Sequence, residues 1–144
     1  MSNRWVVVAD NEKARIYSVE RGDGLLHQII TLAHPEGREK SQDINADRPG
    51  RAFDDVGQGR HGMGRSVDPV EQERIRYVKR IVEYLHAACQ SDRCNRLLLV
   101  AGPHLLGLIR RHLDLPPGVS VTELEKNLGP FDDNQVQEHL RGQL

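Results

Sequence analysis

Between Asp47 and Arg65, guanidinium side chains alternate with glycines: Asp47-Arg48-Pro49-Gly50-Arg51, then Gly57-Gln58-Gly59-Arg60-His61-Gly62-Met63-Gly64-Arg65. Arginine presents a planar fork of N–H donors that suits phosphate, and glycine lets the backbone approach whatever the forks hold. A segment of this kind can clamp phosphates. Its carboxylates roughly cancel its cations overall, but Arg60, His61 and Arg65 form an acid-free tip. That tip is continuous in sequence with the basic residues Arg74, Arg76, Lys79 and Arg80. Phosphate contacts are therefore expected at Arg48, Arg51, Arg60, His61, Arg65, Arg76, Lys79 and Arg80. The plain alternative is a solvated arm whose charges do no more than keep it in water.

Other chemical templates are missing. The sequence holds no Walker loop, dinucleotide fingerprint, nucleophile elbow or calcium loop. Its 7 histidines are scattered, with no pair at metal-ligand spacing, so neither a metal nor a cofactor is expected. Asp10 follows an apolar run, where ribonuclease H-type nucleases place a metal-binding carboxylate, and Asp43, Asp47, Asp54 or Asp55 are potential partners. Against this, Asp10-Asn11 is a common turn pair that bonds its own backbone, and the turn is the stronger reading. Gly102-Pro103-His104 opens a helix whose N-terminus suits an anion, although a plain connecting turn is the stronger reading.

The elements that must position these residues are legible from periodicity. Arg4 to Ala9 and Ala14 to Glu20 read as strands joined by Asp10-Asn11-Glu12-Lys13, and Leu25 to Ala33 as a third strand after Arg21-Gly22-Asp23-Gly24. Val6-Val7-Val8 is apolar without alternation, as a central strand covered on both faces requires. From His34 to Val67 apolar side chains nearly vanish, which marks a long loop. Asp68-Pro69-Val70-Glu71 then signals a capped helix, with a capping-box spacing from Asp68 to Glu71. Ile75, Val78, Val82, Leu85 and Cys89 make its apolar stripe. Leu97 to Ala101 reads as a buried strand leading into a helix with Leu105, Leu108, Ile109 and Leu113. Val119 to Leu124 is a fifth strand, and Asp132 to Arg141 a short last helix. The fold class is α/β: a mixed five-stranded sheet, antiparallel at first and then built from strand-helix-strand units, with helices packed on it.

At 144 residues with 38% hydrophobic and 28% charged residues, the chain is expected to be one domain of residues 1–144 with its loop at about 34–67. A net charge of -1 argues against indiscriminate coating of nucleic acid and leaves room for a local basic patch. The opening apolar run is too short for a signal peptide, and no run approaches the roughly 20 residues of a membrane span. A cytoplasmic location and no membrane contact are expected. Cys89 and Cys94 lack the spacing of a redox pair or zinc site and read as reduced thiols.

Together, Trp5-Val6-Val7-Val8-Ala9-Asp10, Ala14-Arg15-Ile16-Tyr17, His34-Pro35-Glu36-Gly37-Arg38, Asp47 to Asp54, Gly59-Arg60-His61 and Leu97 to Leu108 resemble the bacterial host attachment protein family over nearly the whole chain. That family's fold is similar to the middle domain of eukaryotic and archaeal peptide-chain release factors. There a mobile Gly-Gly-Gln loop, followed by a basic helix, helps water cleave peptidyl-tRNA. The resemblance places Gly57, Gln58 and Gly59 at that loop, with Gln58 near the ester, and Val56 stands where the motif has its first glycine. It implies a ribosome- or tRNA-associated RNA-binding domain, with peptidyl-tRNA hydrolysis as the catalytic form. The alternative is a non-catalytic adaptor whose loop orders on a protein partner and whose effect on attachment is indirect.

Overall fold

An uninterrupted apolar strand needs cover on both faces, and Arg4–Ala9 (β1) has it as the middle strand of a five-stranded sheet. The computed structural model describes residues 3–20, 22, 24–34 and 68–144. In the order β3-β2-β1-β4-β5, β2 (Lys13–Val19) and β3 (Leu26–Ala33) extend the sheet antiparallel on one side of β1. On the other side β4 (Arg96–Ala101) and β5 (Ser120–Glu125) run parallel to it. The expected mixed α/β sheet is thus formed, with strand ends shifted by a residue.

Side chains alternate across this sheet. Trp5, Val7, Ala9, Ala14, Ile16, Leu97 and Leu99 meet one pair of helices, α1 (Pro69–Gln90) and α2 (Pro103–His112). Val6, Val8, Tyr17, Leu98 and Val100 face the opposite way, where Leu128, Val136 and Leu140 close a second, smaller core. Val136 lies on α3 (Asp133–His139), which Asp132 opens with a capping box to Gln135. No helix among the described residues is long and apolar enough to cross a membrane.

Helix α1 departs from the expected pattern in two places. Its buried residues are Tyr77, Val78, Ile81, Leu85, Ala88 and Cys89, while Ile75 and Val82 are half-buried at the margin. The stripe is rotated because Tyr77 carries the largest apolar payload on this helix face and also reaches a buried acceptor, the Asp10 carbonyl, at 2.8 Å. Asp68 does cap the helix, but its carboxylate accepts from the Val70 N–H at 2.9 Å, and the Glu71 side chain is engaged elsewhere, by Arg74 and His104. The last helix is shorter than Asp132 to Arg141, ending at His139 before Gly142 takes a φ of 93°.

Cys89 and Cys94 are free and buried in the larger core. Burial, reinforced by Cys89, pushes the Cys94 thiol from 9.0 up to about 12. Burial likewise holds the Tyr17 and Tyr77 phenols above the ordinary tyrosine range. In each case the native state keeps a proton that the unfolded chain releases sooner. The stabilisation is therefore complete below the unfolded pKa and is lost as pH rises toward the folded one. Denaturant titrations are expected to show stability falling from about pH 9 and more steeply above about pH 10. A profile flat to pH 11 would mean that these groups meet water in the native state.

Candidate functional site

The register of the strands gathers one end of the molecule. β1, β3, β4 and β5 all run toward it, so Asp10, His34, Gly102 and Lys126 follow their carboxyl ends, and α1 and α2 begin there. Crevices outside the carboxyl ends of parallel strands are the usual ligand position in open α/β sheets.

Asp10 occupies its place as a turn residue. Its Oδ1 accepts from the Glu12 N–H at 2.8 Å and the Lys13 N–H at 2.9 Å. A Cβ on Gly129 would stand 1.9 Å from Asp10 Oδ2, so only glycine fits opposite this carboxylate. Among the described residues no group of three histidine, cysteine, aspartate or glutamate side chains is placed to hold a metal. His104 at the start of α2 meets Glu71 at 3.2 Å, and Arg74 meets it at 2.6 Å. Burial opposes the Glu71 charge, but the hydrogen bonds and charges of His104 and Arg74 outweigh it and hold the carboxyl below its usual range.

Next to these lies a cavity of about 230 Å³ lined by His34, Glu73, Arg76, Tyr77 and Arg80. His34 is 4% exposed and stacks on Tyr77, with ring centroids 4.5 Å apart and planes 9° apart. Its Nδ1 lies 2.7 Å from the Asn11 carbonyl and so must donate to it. The ring's Nε2 and the Glu73 Oε2 are both buried with no hydrogen-bond partner among the described residues. Arg80 donates to the Ala33 carbonyl at 2.9 Å, which fixes its stem against the end of β3 and leaves its other donors without a partner among the described residues.

Of the residues expected to contact phosphate, Arg76 and Arg80 are brought together on this cavity, and Lys79 is exposed beside them on the same helix. Arg48, Arg51, Gly57, Gln58, Gly59, Arg60, His61 and Arg65 lie outside the described residues. Of the other lining residues, His34 stood in the sequence as the start of the long loop and of one motif of the family resemblance, while Glu73 and Tyr77 were not singled out. Only their spacing to Arg76 and Arg80 on a helix already suspected of binding would have flagged Glu73 and Tyr77.

A larger hollow of about 680 Å³ opens at the opposite end of the sheet, near Arg4, Glu20, Gly24, Gln137 and Arg141. Several of its polar groups are committed: Gln137 bonds the Leu26 N–H and the Gly24 carbonyl, Arg141 pairs with Glu138, and Glu20 with His27. The smaller cavity, with its unused acceptors and donors, is the better candidate.

Over residues 5–140 the sequence matches the family model described as "Protein required for attachment to host cells". The chain belongs to this host attachment family. No curated protein matches it. Among solved structures, one described as "Archaeal protein" is similar at 8% identity and a TM-score of 0.42. That similarity covers 98% of this host attachment protein and 38% of the other chain, so the present chain spans well under half the other's length.

Proposed function

We propose that this host attachment family protein is a ribosome- or tRNA-associated RNA-binding protein that grips phosphates through the basic side of α1. The observation that carries the reading is the state of Arg76, Lys79 and Arg80. They are spaced by three and four on one helix and share a face. Arg74, by contrast, is neutralised by Glu71, and Arg110 at α2 is neutralised by Glu123. Among the described residues Arg76 and Lys79 have no partner, and Arg80 bonds only a neutral carbonyl. Long surface cations are often merely solvated. Here three of them follow directly in sequence on the glycine- and arginine-rich segment, the order in which release-factor middle domains carry their loop and basic helix.

Cosedimentation with ribosomes and binding to tRNA, measured across a salt series, test the reading. Changing Arg76 and Lys79 together to alanine is expected to weaken binding and to lower the log-log salt slope by about 0.7 for each single-strand phosphate that is no longer neutralised. Unchanged binding and slope would sink the RNA reading and leave a protein-binding adaptor.

The finer reading adds peptidyl-tRNA hydrolysis, with Gln58 near the ester and the Gly57 and Gly59 backbone beside it. Gln58 is uncharged, so Gln58→Ala should leave RNA affinity nearly intact and lower turnover, as expected when an interaction exists only in the transition state. Equal turnover of both proteins on peptidyl-tRNA would remove Gln58 from the chemistry.

A further inference from the structure

We propose that the cavity at the start of α1 takes one ribose phosphate of an RNA chain, reading the sugar hydroxyls with His34 and Glu73 and the phosphate with Arg76 and Arg80. The proposal rests on the RNA reading above and goes further, because it assigns a site that distinguishes RNA from DNA.

The argument starts from what each lining group lacks. His34 donates from Nδ1 to the Asn11 carbonyl, so in the neutral ring Nε2 is an acceptor awaiting a donor. Glu73 Oε2 is a second acceptor in the same condition. Buried acceptors without donors are rare in folded proteins, and each calls for an explanation, of which a group that binds there is one. On the same cavity Arg76 and Arg80 offer guanidinium donors with no carboxylate paired to them among the described residues. The complementary ligand therefore carries hydroxyl donors at one end and an anion within reach at the other, which describes ribose with its phosphate.

Size narrows this further. A cavity of about 230 Å³ falls below the roughly 300–1,000 Å³ of pockets that enclose whole small-molecule ligands. The sugar and phosphate enter and the base stays outside. Recognition is then indifferent to base identity and sensitive to the 2′-hydroxyl, the group by which proteins tell RNA from DNA. Both acceptor atoms are closed to bulk solvent in the free chain. Occupation of the site therefore requires the side chains that cover these two atoms to move.

The test uses the full chain and three labelled single strands of one sequence, as RNA, as DNA and as 2′-O-methyl RNA, with affinity read by fluorescence anisotropy. Wild type is expected to bind RNA about tenfold more tightly than the other two, the worth of one hydrogen bond to a charged group. Glu73→Ala should bring the RNA-to-DNA ratio toward one without weakening DNA binding, since it removes a hydroxyl acceptor and a negative charge together. His34→Gln serves as the second variant, its melting temperature being measured alongside because the ring packs on Tyr77. Equal binding of RNA and DNA by wild type would overturn the ribose site while leaving phosphate binding in place. A ratio unchanged in both variants would overturn it too, as would a water bridging the two acceptors. Binding of none of the strands would overturn both this site and the RNA reading beneath it.

Discussion

Leu99→Ala is expected to destabilise the protein by about 2–5 kcal/mol, the range for truncating a leucine in a core that relaxes only partly around the void. Leu99 is 1% exposed, sits on β4 opposite Val7 of β1, and faces the α1–α2 layer. β4 is flanked by strands on both sides, so neither edge movement nor water entry can fill the space. Leu99→Met, which keeps the volume, should cost less than about 1.5 kcal/mol. Val121→Ala on the edge strand β5, where the side chain is 40% exposed, should change stability by no more than about 0.5 kcal/mol. Denaturant midpoints of the three variants check the ranking. Equal losses at Leu99 and Val121 would mean that β4 is not interior.

The strands were readable because their period and their burial agree. Val6-Val7-Val8 and Leu97 to Ala101 lack alternation, and both are covered by helices on one face and by Leu128, Val136 and Leu140 on the other. β3 tells the opposite story. Leu26–Ala33 has an apolar composition, yet all of it is exposed or half-buried at the sheet's edge, and its pairing with β2 shifts register beside Ile29. A bulge there interrupts the flat edge that would otherwise invite another strand. Apolar content alone could not separate an edge from a centre; that depends on which strand the α1 crossover returns beside.

The site was legible only in its charges. Arg76, Lys79 and Arg80 stand out in sequence as cations off the apolar stripe, and two of the three line the cavity. His34 and Tyr77 come together only because β3 ends beside the turn after β1, a contact between residues 43 positions apart that no local pattern encodes. Glu71 illustrates the reverse error. Its spacing from Asp68 fits a capping box, but the start of α2 brings His104 within 3.2 Å, and a charge-assisted contact there competes with the backbone N–H at the cap.

The buried Arg15 was equally hidden, since an arginine in an alternating strand reads as solvent-facing. It lies on the same face of β2 as Tyr17 and is only 6% exposed. One terminal nitrogen donates to the Leu128 carbonyl at 3.0 Å and, more weakly, to the Gly129 carbonyl at 3.4 Å. The other approaches Asp133 Oδ1 at 3.4 Å, an oxygen that also accepts from the Tyr17 hydroxyl at 2.7 Å. Arginine thus ties the segment before α3 to the sheet, beside the point where Gly129 packs against Asp10. Removing one member of a buried ion pair costs about 3–5 kcal/mol. Asp133 is 55% exposed and can regain water, whereas the two carbonyls cannot readily do so. Arg15→Ala is therefore expected to cost about 2–4 kcal/mol, a discount on the fully buried case for the solvated carboxylate. Arg15→Met keeps the apolar stem packed and separates the packing of the stem from the hydrogen bonds of the head. It should recover part of the loss, while Asp133→Asn, which still offers Tyr17 an acceptor, should cost no more than about 1 kcal/mol. Hydrogen exchange supplies the local reading: in Arg15→Ala the amides of Val136 and Leu140 on and after α3 should lose protection before those of β1. If they exchange together with β1, the last helix is held by its apolar contacts alone and Arg15 is not its tether.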